Sequence, residues 1–135
     1  MENMMKKRAI SWIVILVIAL FFLFGIKYET VLYIGMSSPA LDGYSIDIKV
    51  KIDGNFVLND SINNNPYKYN TLKKKLKIGF RRVEISSNRA NVHTIKEIFV
   101  LPNQFILLEF LPRLRSEGEE PEFFITHGFK PFRYE

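Results

Sequence analysis

The sequence predicts a mainly β protein, an N-terminal transmembrane helix followed by a small antiparallel β-sandwich. Three observations predict it. Ala9 to Ile26 form 18 consecutive residues without a charge, enough to cross a bilayer's hydrocarbon once. Beyond them, apolar residues recur with a period of two, the spacing of half-buried strands. The strand-like runs are short and are separated by Asn, Gly and Pro, as in a sandwich. The 135 residues are 47% hydrophobic and 24% charged, a composition that argues against disorder. Because the chain has no cysteine, the outer part folds without disulfides and offers neither thiol chemistry nor thiolate metal sites.

Residues 1–8 are a polar N-terminus in which Lys6, Lys7 and Arg8 against Glu2 leave a charge of +2. Block 9–26 follows, and at ~1.5 Å per residue it reaches ~27 Å. Trp12 near one end and Tyr28 and Tyr33 beyond the other suit membrane interfaces. Lys27 is balanced by Glu29, so the basic bias lies before the block. That bias predicts a cytoplasmic N-terminus and an extracytoplasmic segment 27–135. A secretory signal has a shorter apolar core of ~7–15 residues and ends at a small-x-small site. Phe24-Gly25-Ile26-Lys27-Tyr28 offers no such site. The expectation is therefore an uncleaved signal anchor, with a small secreted protein released by signal peptidase as the alternative.

Residues 27–43 read as a tether. The apolar piece Val31 to Met36 could pair as an edge strand that Pro39 ends, and Leu41-Asp42-Gly43 is a turn signal. The sandwich is expected over 44–112. Tyr44, Ile46, Ile48, Val50 and Ile52 alternate strictly with Ser45, Asp47, Lys49, Lys51 and Asp53, one face buried and one wet. Asp53-Gly54 supplies a hairpin turn whose central positions need positive φ, and Asn55 to Leu58 lead back. Residues 59–71 read as a loop, with Asn59, Asn63, Asn64, Asn65, Pro66 and Asn70. Leu76 and Ile78 then alternate with Lys75 and Lys77. Gly79 marks a bend, and Val83 and Ile85 alternate with Arg82 and Glu84. Ser86 to Asn91 form a further loop. Ile98 and Val100 precede a turn at Pro102-Asn103, and Ile106, Leu108 and Phe110 form a last strand closed by Pro112. Segment 113–135 begins as an acidic connector, with Glu117, Glu119, Glu120 and Glu122, and ends as an aromatic stretch. Phe123, Phe124 and Ile125 precede a turn at His127-Gly128. This stretch is expected to cover the sandwich, since large exposed aromatic patches are uncommon.

This order resembles the PEGA family of small, surface-associated β-sandwich modules of transthyretin-like or immunoglobulin-like form. The resemblance covers about 50–111. It rests on Val50-Lys51-Ile52-Asp53-Gly54, on Pro66, on Gly79 followed by Val83 and Ile85, and on a closing hairpin from Ile98–Val100 to Ile106–Phe110. The family's common histidine two places after the glycine is Arg81 here, and no Pro-Glu-Gly-Ala string occurs. The resemblance implies extracytoplasmic display and interaction, with no catalytic residues to carry over.

The most conspicuous chemistry is a basic run, Lys73, Lys74, Lys75, Lys77, Arg81 and Arg82, with no acid among them. Such a run can bind anionic lipid headgroups, an acidic glycan or the acidic patch of an envelope protein. The alternation of Lys75 and Lys77 with Leu76 and Ile78 favours instead the wet face of one strand, where lysines discourage edge pairing. Nucleic acid is not an expected partner despite a pI near 9.5, because the orientation places the domain outside the cytoplasm. His93 and His127 have no second ligand at a metal spacing. Asp42, Asp47, Asp53 and Asp60 lack the clustered oxygens of a calcium loop. No nucleophile elbow, phosphate loop or zinc helix is present. The expectation is a non-catalytic protein without cofactor or metal, held in the membrane by residues 9–26, with a binding or assembly role at the cell envelope. An accessory subunit of a membrane complex is the alternative. Ser11, Ala19 and Gly25 make no Gly-x-x-x-Gly packing face for it.

Overall fold

The computed structural model describes residues 1–36, 45–63, 69–112 and 120–129. Among them are a helix, α1 (Glu2–Gly25), and strands β1 (Lys27–Met36), β2 (Ser45–Ile52), β3 (Asn55–Asn63), β4 (Asn70–Lys77), β5 (Gly79–Ser87), β6 (Val92–Val100), β7 (Phe105–Leu111) and β8 (Glu122–Gly128). The strands form two four-stranded sheets, ordered β4-β1-β7-β8 and β3-β2-β5-β6. The molecule is mainly β, a sandwich behind one apolar N-terminal helix.

α1 is 24 residues long, about 36 Å at helical rise, and it is long and apolar enough to cross a membrane. None of its residues is buried against the sandwich. The helix ends where Ile26 turns extended while its N–H still donates to Phe22 O. β1 begins at the next residue.

β2 shows why the sandwich forms. Its residues alternate half-exposed and buried along the whole strand, so Ile46, Ile48, Val50 and Ile52 all reach the core. Val83, Ile85, Ile98 and Val100 join them from β5 and β6. Leu32, Ile34, Met36, Ile106, Leu108, Phe110, Phe123 and Ile125 face them from the other sheet. The Asp53-Gly54 turn adopts φ of 52° and 79°, matching the twist of the paired strands. Gly79, at φ 120°, carries the chain from β4 in one sheet to β5 in the other. A side chain would be strained there.

Four sequence expectations are corrected. Residues 27–36 are not a tether. β1 lies inside its sheet, antiparallel to β4 and parallel to β7, so the sheet is not purely antiparallel. Its inward residues Thr30, Leu32, Ile34 and Met36 are buried, and removing them from water is what places this strand centrally. Residues 59–71 are not a single loop. β3 continues to Asn63, with Ile62 buried and the ladder to β2 intact, and β4 starts at Asn70. The supposed closing hairpin is a crossover, because β6 and β7 belong to different sheets. Gln104 secures that crossover, its Oε1 accepting Leu101 N–H at 3.0 Å. Finally, the sandwich extends past 112. His127 and Gly128 are the end of β8, paired with Ile106 and Phe105 rather than turning. Phe123 and Ile125 enter the core, whereas Phe124 stays exposed. The expected features at Pro39, Leu41–Gly43, Asn64–Pro66 and Glu117–Glu119 lie outside the described residues.

The edges are protected in different ways. β4 carries Lys73, Lys75 and Lys77 outward. β6 carries Lys96, whose ammonium donates to Ile125 O of β8 at 2.8 Å, tying the two sheets together along one side. Edge lysines of this kind oppose pairing with a second chain.

Candidate functional site

The basic run is divided by the fold into three environments. Lys73, Lys75 and Lys77 lie exposed on the outer side of β4, while Lys74 is half-buried on the inner side, opposite Thr30. Arg81 is taken up by the fold. Its guanidinium donates to Asp53 Oδ2 at 2.8 Å and to the Lys77 and Ile78 carbonyls at 3.1 and 3.2 Å. Its side chain is 22% exposed. It clamps the Gly79 crossover to the tip of the β2–β3 hairpin. Asp53 Oδ1 also accepts Arg82 N–H at 3.0 Å, so one carboxylate ties two adjacent residues. Arg82 itself projects outward into solvent. Arg81 is thus a structural member of the run rather than a free cation.

Two residues outside the run belong beside it. Lys27, the first residue of β1, is the register partner of Lys77, and Glu29 is the partner of Lys75. Glu29 pairs with Lys73 Nζ at 3.1 Å, both side chains being mostly exposed, a contact worth little in water. Lys27, Lys75, Lys77 and Arg82 make no ion pair among the described residues. Lys27, Lys74, Lys75, Lys77, Arg81 and Asp53 line a hollow of about 290 Å³ between β4, β1 and the hairpin tip. The sequence shows the lysine run by composition. It gives no sign of Lys27, because that contact depends on a register across 50 residues.

The same end of the sandwich presents aromatic rings. Phe80, directly after the crossover, stacks edge-on against Phe99 with centroids 5.0 Å apart. They are 72% and 38% exposed. Phe56 lies just beyond the hairpin, with Lys51 Nζ 4.7 Å above its ring, a cation–π contact.

The opposite end is fixed by Asp47. Its Oδ1 accepts Ser87 Oγ at 2.9 Å and Arg89 N–H at 2.8 Å, and its Oδ2 accepts Asn88 N–H at 3.0 Å. The Arg89 amide does most to hold this carboxyl below its ordinary pKa of 3.8. Partial burial opposes that effect, and the Asn88 and Ser87 bonds add to it. Asp47 therefore organises the β5–β6 turn. His93 lies on the outer face of β6, with Nε2 3.0 Å from Glu84 Oε1, and His127 ends β8. Among the described residues no three His, Asp or Glu side chains gather as a metal site.

The outer face of the first sheet carries a further hollow of about 280 Å³, where Tyr33, Phe105 and Phe129 meet Glu29, Val31 and Gln104. Tyr33 and Phe105 stack edge-on at 6.0 Å. Beside them Tyr69 lies across Gly35, so close that a Cβ there would sit 2.5 Å from its ring. Its hydroxyl donates to Glu109 Oε1 at 2.8 Å.

No family model matches the chain, and no curated protein matches it. Among solved structures, the chain is similar to the crystal structure of a candidate cell adhesion protein from Bacteroides ovatus. The similarity has a TM-score of 0.39 and 10% identity, over 76% of this chain and 44% of that one. This chain thus spans less than half the length of that protein.

Proposed function

We propose that this chain is a single-pass membrane protein whose sandwich stands outside the cytoplasm and serves, without catalysis, in binding or assembly at the cell envelope. The observation that carries the reading is α1. Its 24 residues are apolar but for the first turns, and none is buried. Leaving so much apolar surface in water is costly, at about 25 cal/mol for each Å², and a bilayer removes that cost. Lys6, Lys7 and Arg8 at its start support a cytoplasmic N-terminus. The Asp53-Gly54 hairpin and the Gly79 turn support kinship with PEGA-like display modules. The β6–β7 crossover does not. The test is fractionation of tagged full-length protein with and without alkali, combined with protease added from outside. The expected result is membrane retention through alkali, with the sandwich digested. Release at full length into the soluble fraction would overturn the anchor. Protection of the sandwich would reverse the orientation, and a mature N-terminus beyond residue 26 would favour the secreted alternative.

A second reading, an accessory subunit of a membrane complex, is favoured by the aromatic outer face of the first sheet, where Phe124 and Phe129 are exposed. Crosslinking in membranes with mass spectrometry discriminates between the two. A recurrent protein neighbour at this face supports the subunit reading, and a monomer without one counts against it.

A further inference from the structure

We infer that the end of the sandwich next to α1 rests on the bilayer that α1 enters. In this arrangement Lys27, Lys75, Lys77 and Arg82 hold anionic lipid headgroups, and the Phe80–Phe99 ring pair reaches into the interface. The inference rests on the membrane-anchor reading and identifies the partner of the basic patch.

Connectivity supplies the first argument. Ile26 alone separates the last helical residue, Gly25, from Lys27, the first residue of β1. The start of β1 is therefore fixed at the level where the helix leaves hydrocarbon. Register carries this level across the sheet, since Lys77 pairs with Lys27 and Lys75 with Glu29. Antiparallel partners lie about 5 Å apart. From Lys77 to Lys73 the lysines climb only about 13 Å, at ~3.3 Å per residue. The Arg81–Asp53 clamp brings the hairpin tip and the Gly79 crossover to the same end. Arg82, the next residue, lies on the outward face of β5.

Charge supplies the second. The hollow at this end is lined by five cations against the single carboxylate of Asp53, which Arg81 already occupies. An excess of cations at this height complements phosphate-bearing headgroups, and its strength falls off within a Debye length, about 8 Å at physiological salt. The rings supply the third. Phe80 is among the most exposed apolar side chains of the sandwich, and with Phe99 it lies beside Arg82 on the outer face of the second sheet, at the crossover end. Aromatic rings beside cations suit the headgroup layer.

The chain has no cysteine, so a single F80C substitution gives a unique label site, the probe standing at the exposed position of the Phe80 ring. The full-length F80C protein, carrying an environment-sensitive fluorophore, is reconstituted in vesicles of phosphatidylcholine alone or of phosphatidylcholine with phosphatidylglycerol. The expected result is a blue-shifted, lipid-quenched probe in the phosphatidylglycerol vesicles only, reversed in 1 M salt. Each of K27Q, K75Q, K77Q and R82Q should lower the ratio of lipid-contacting to free protein about fivefold at low salt, and R82Q tests this at a position away from the lysine strand. A probe equally wet in both vesicles, in protein that stays with them through alkali, overturns the inference and leaves the anchor reading standing. Equal burial in both vesicles, insensitive to salt, overturns the role of charge and hence the inference. Loss of the protein from the vesicles in alkali overturns both readings.

Discussion

Asp47 and Arg81 perform similar work at opposite ends of the sandwich, each holding backbone groups that the strands leave unpaired. Asp47 accepts from the Ser87 hydroxyl and from the Asn88 and Arg89 amides. Asp47→Asn replaces a charged acceptor with a group that can accept at one atom only, and should lower stability by about 1–3 kcal/mol. The pH dependence follows from the direction of the shift. The folded carboxyl titrates below its ordinary value of 3.8. Its contribution is therefore complete above that value and is lost as pH falls through the lowered, folded-state pKa. Urea midpoints of wild type and Asp47→Asn should differ clearly at pH 7 and converge toward pH 2. A gap that is unchanged in acid would show that charge has no part in it. Arg81 and Arg82 provide a contrast between sequence neighbours. Arg81→Gln loses a charge-assisted bond to Asp53 and two bonds to carbonyls, worth about 1–3 kcal/mol. Arg82→Gln keeps the backbone bond to Asp53 and should stay within about 0.5 kcal/mol of wild type. Thermal melts of the two variants check this, and equal losses would mean that the Arg81 clamp is not special.

At the scale of elements, β1 decides whether the first sheet exists. It lies between β4 and β7 and joins both ladders. A chain beginning at residue 27 should unfold cooperatively, whereas one beginning at residue 44 leaves β4 and β7 without the strand between them and should not. Within β1, Leu32→Ala removes a fully buried side chain and should cost about 2–5 kcal/mol in a denaturant titration. β2 was legible in the sequence because one face is apolar and the other charged, so its period of two stands clear. β1 was not, because Val31 and Tyr33 on its outer side are as apolar as Leu32 and Ile34 on its inner side. The alternation vanishes, and the parallel partner lies more than 70 residues away. The second half of β3 is hidden in the sequence for the opposite reason. Asn59, Asp60, Ser61 and Asn63 are turn-type residues, and only Ile62 enters the core. The ladder to β2 overrides their local preference. The candidate site divides likewise. Its lysines were visible as a run, while the bond from Arg81 to Asp53 spans 28 residues and the meeting of Lys27 with Lys77 needs β1 to be recognised as a strand.

For the whole molecule, the short connection between α1 and β1 matters more than either element alone. A sandwich on a long tether would sample many orientations, and a basic end would meet the bilayer only part of the time. If α1 is the membrane anchor we propose, Ile26 as the whole connection keeps the end bearing Lys27 within reach of headgroups whatever the rotation of the domain about the helix axis. Inserting a Gly/Ser segment of about 12 residues between Ile26 and Lys27 would give the joint an r.m.s. span of about 20 Å. That exceeds the Debye length of about 8 Å at physiological salt. The insertion touches no core residue and no ladder, so the urea midpoint of the sandwich should not move. Alkali-resistant retention in vesicles should also hold, since α1 is unchanged. What should change is the salt-sensitive blue shift of labelled F80C in phosphatidylglycerol vesicles, which should fall toward its value in phosphatidylcholine. If the insertion left that signal intact, the basic end would have to find the lipid through affinity of its own, and the short joint would have no part in placing it there.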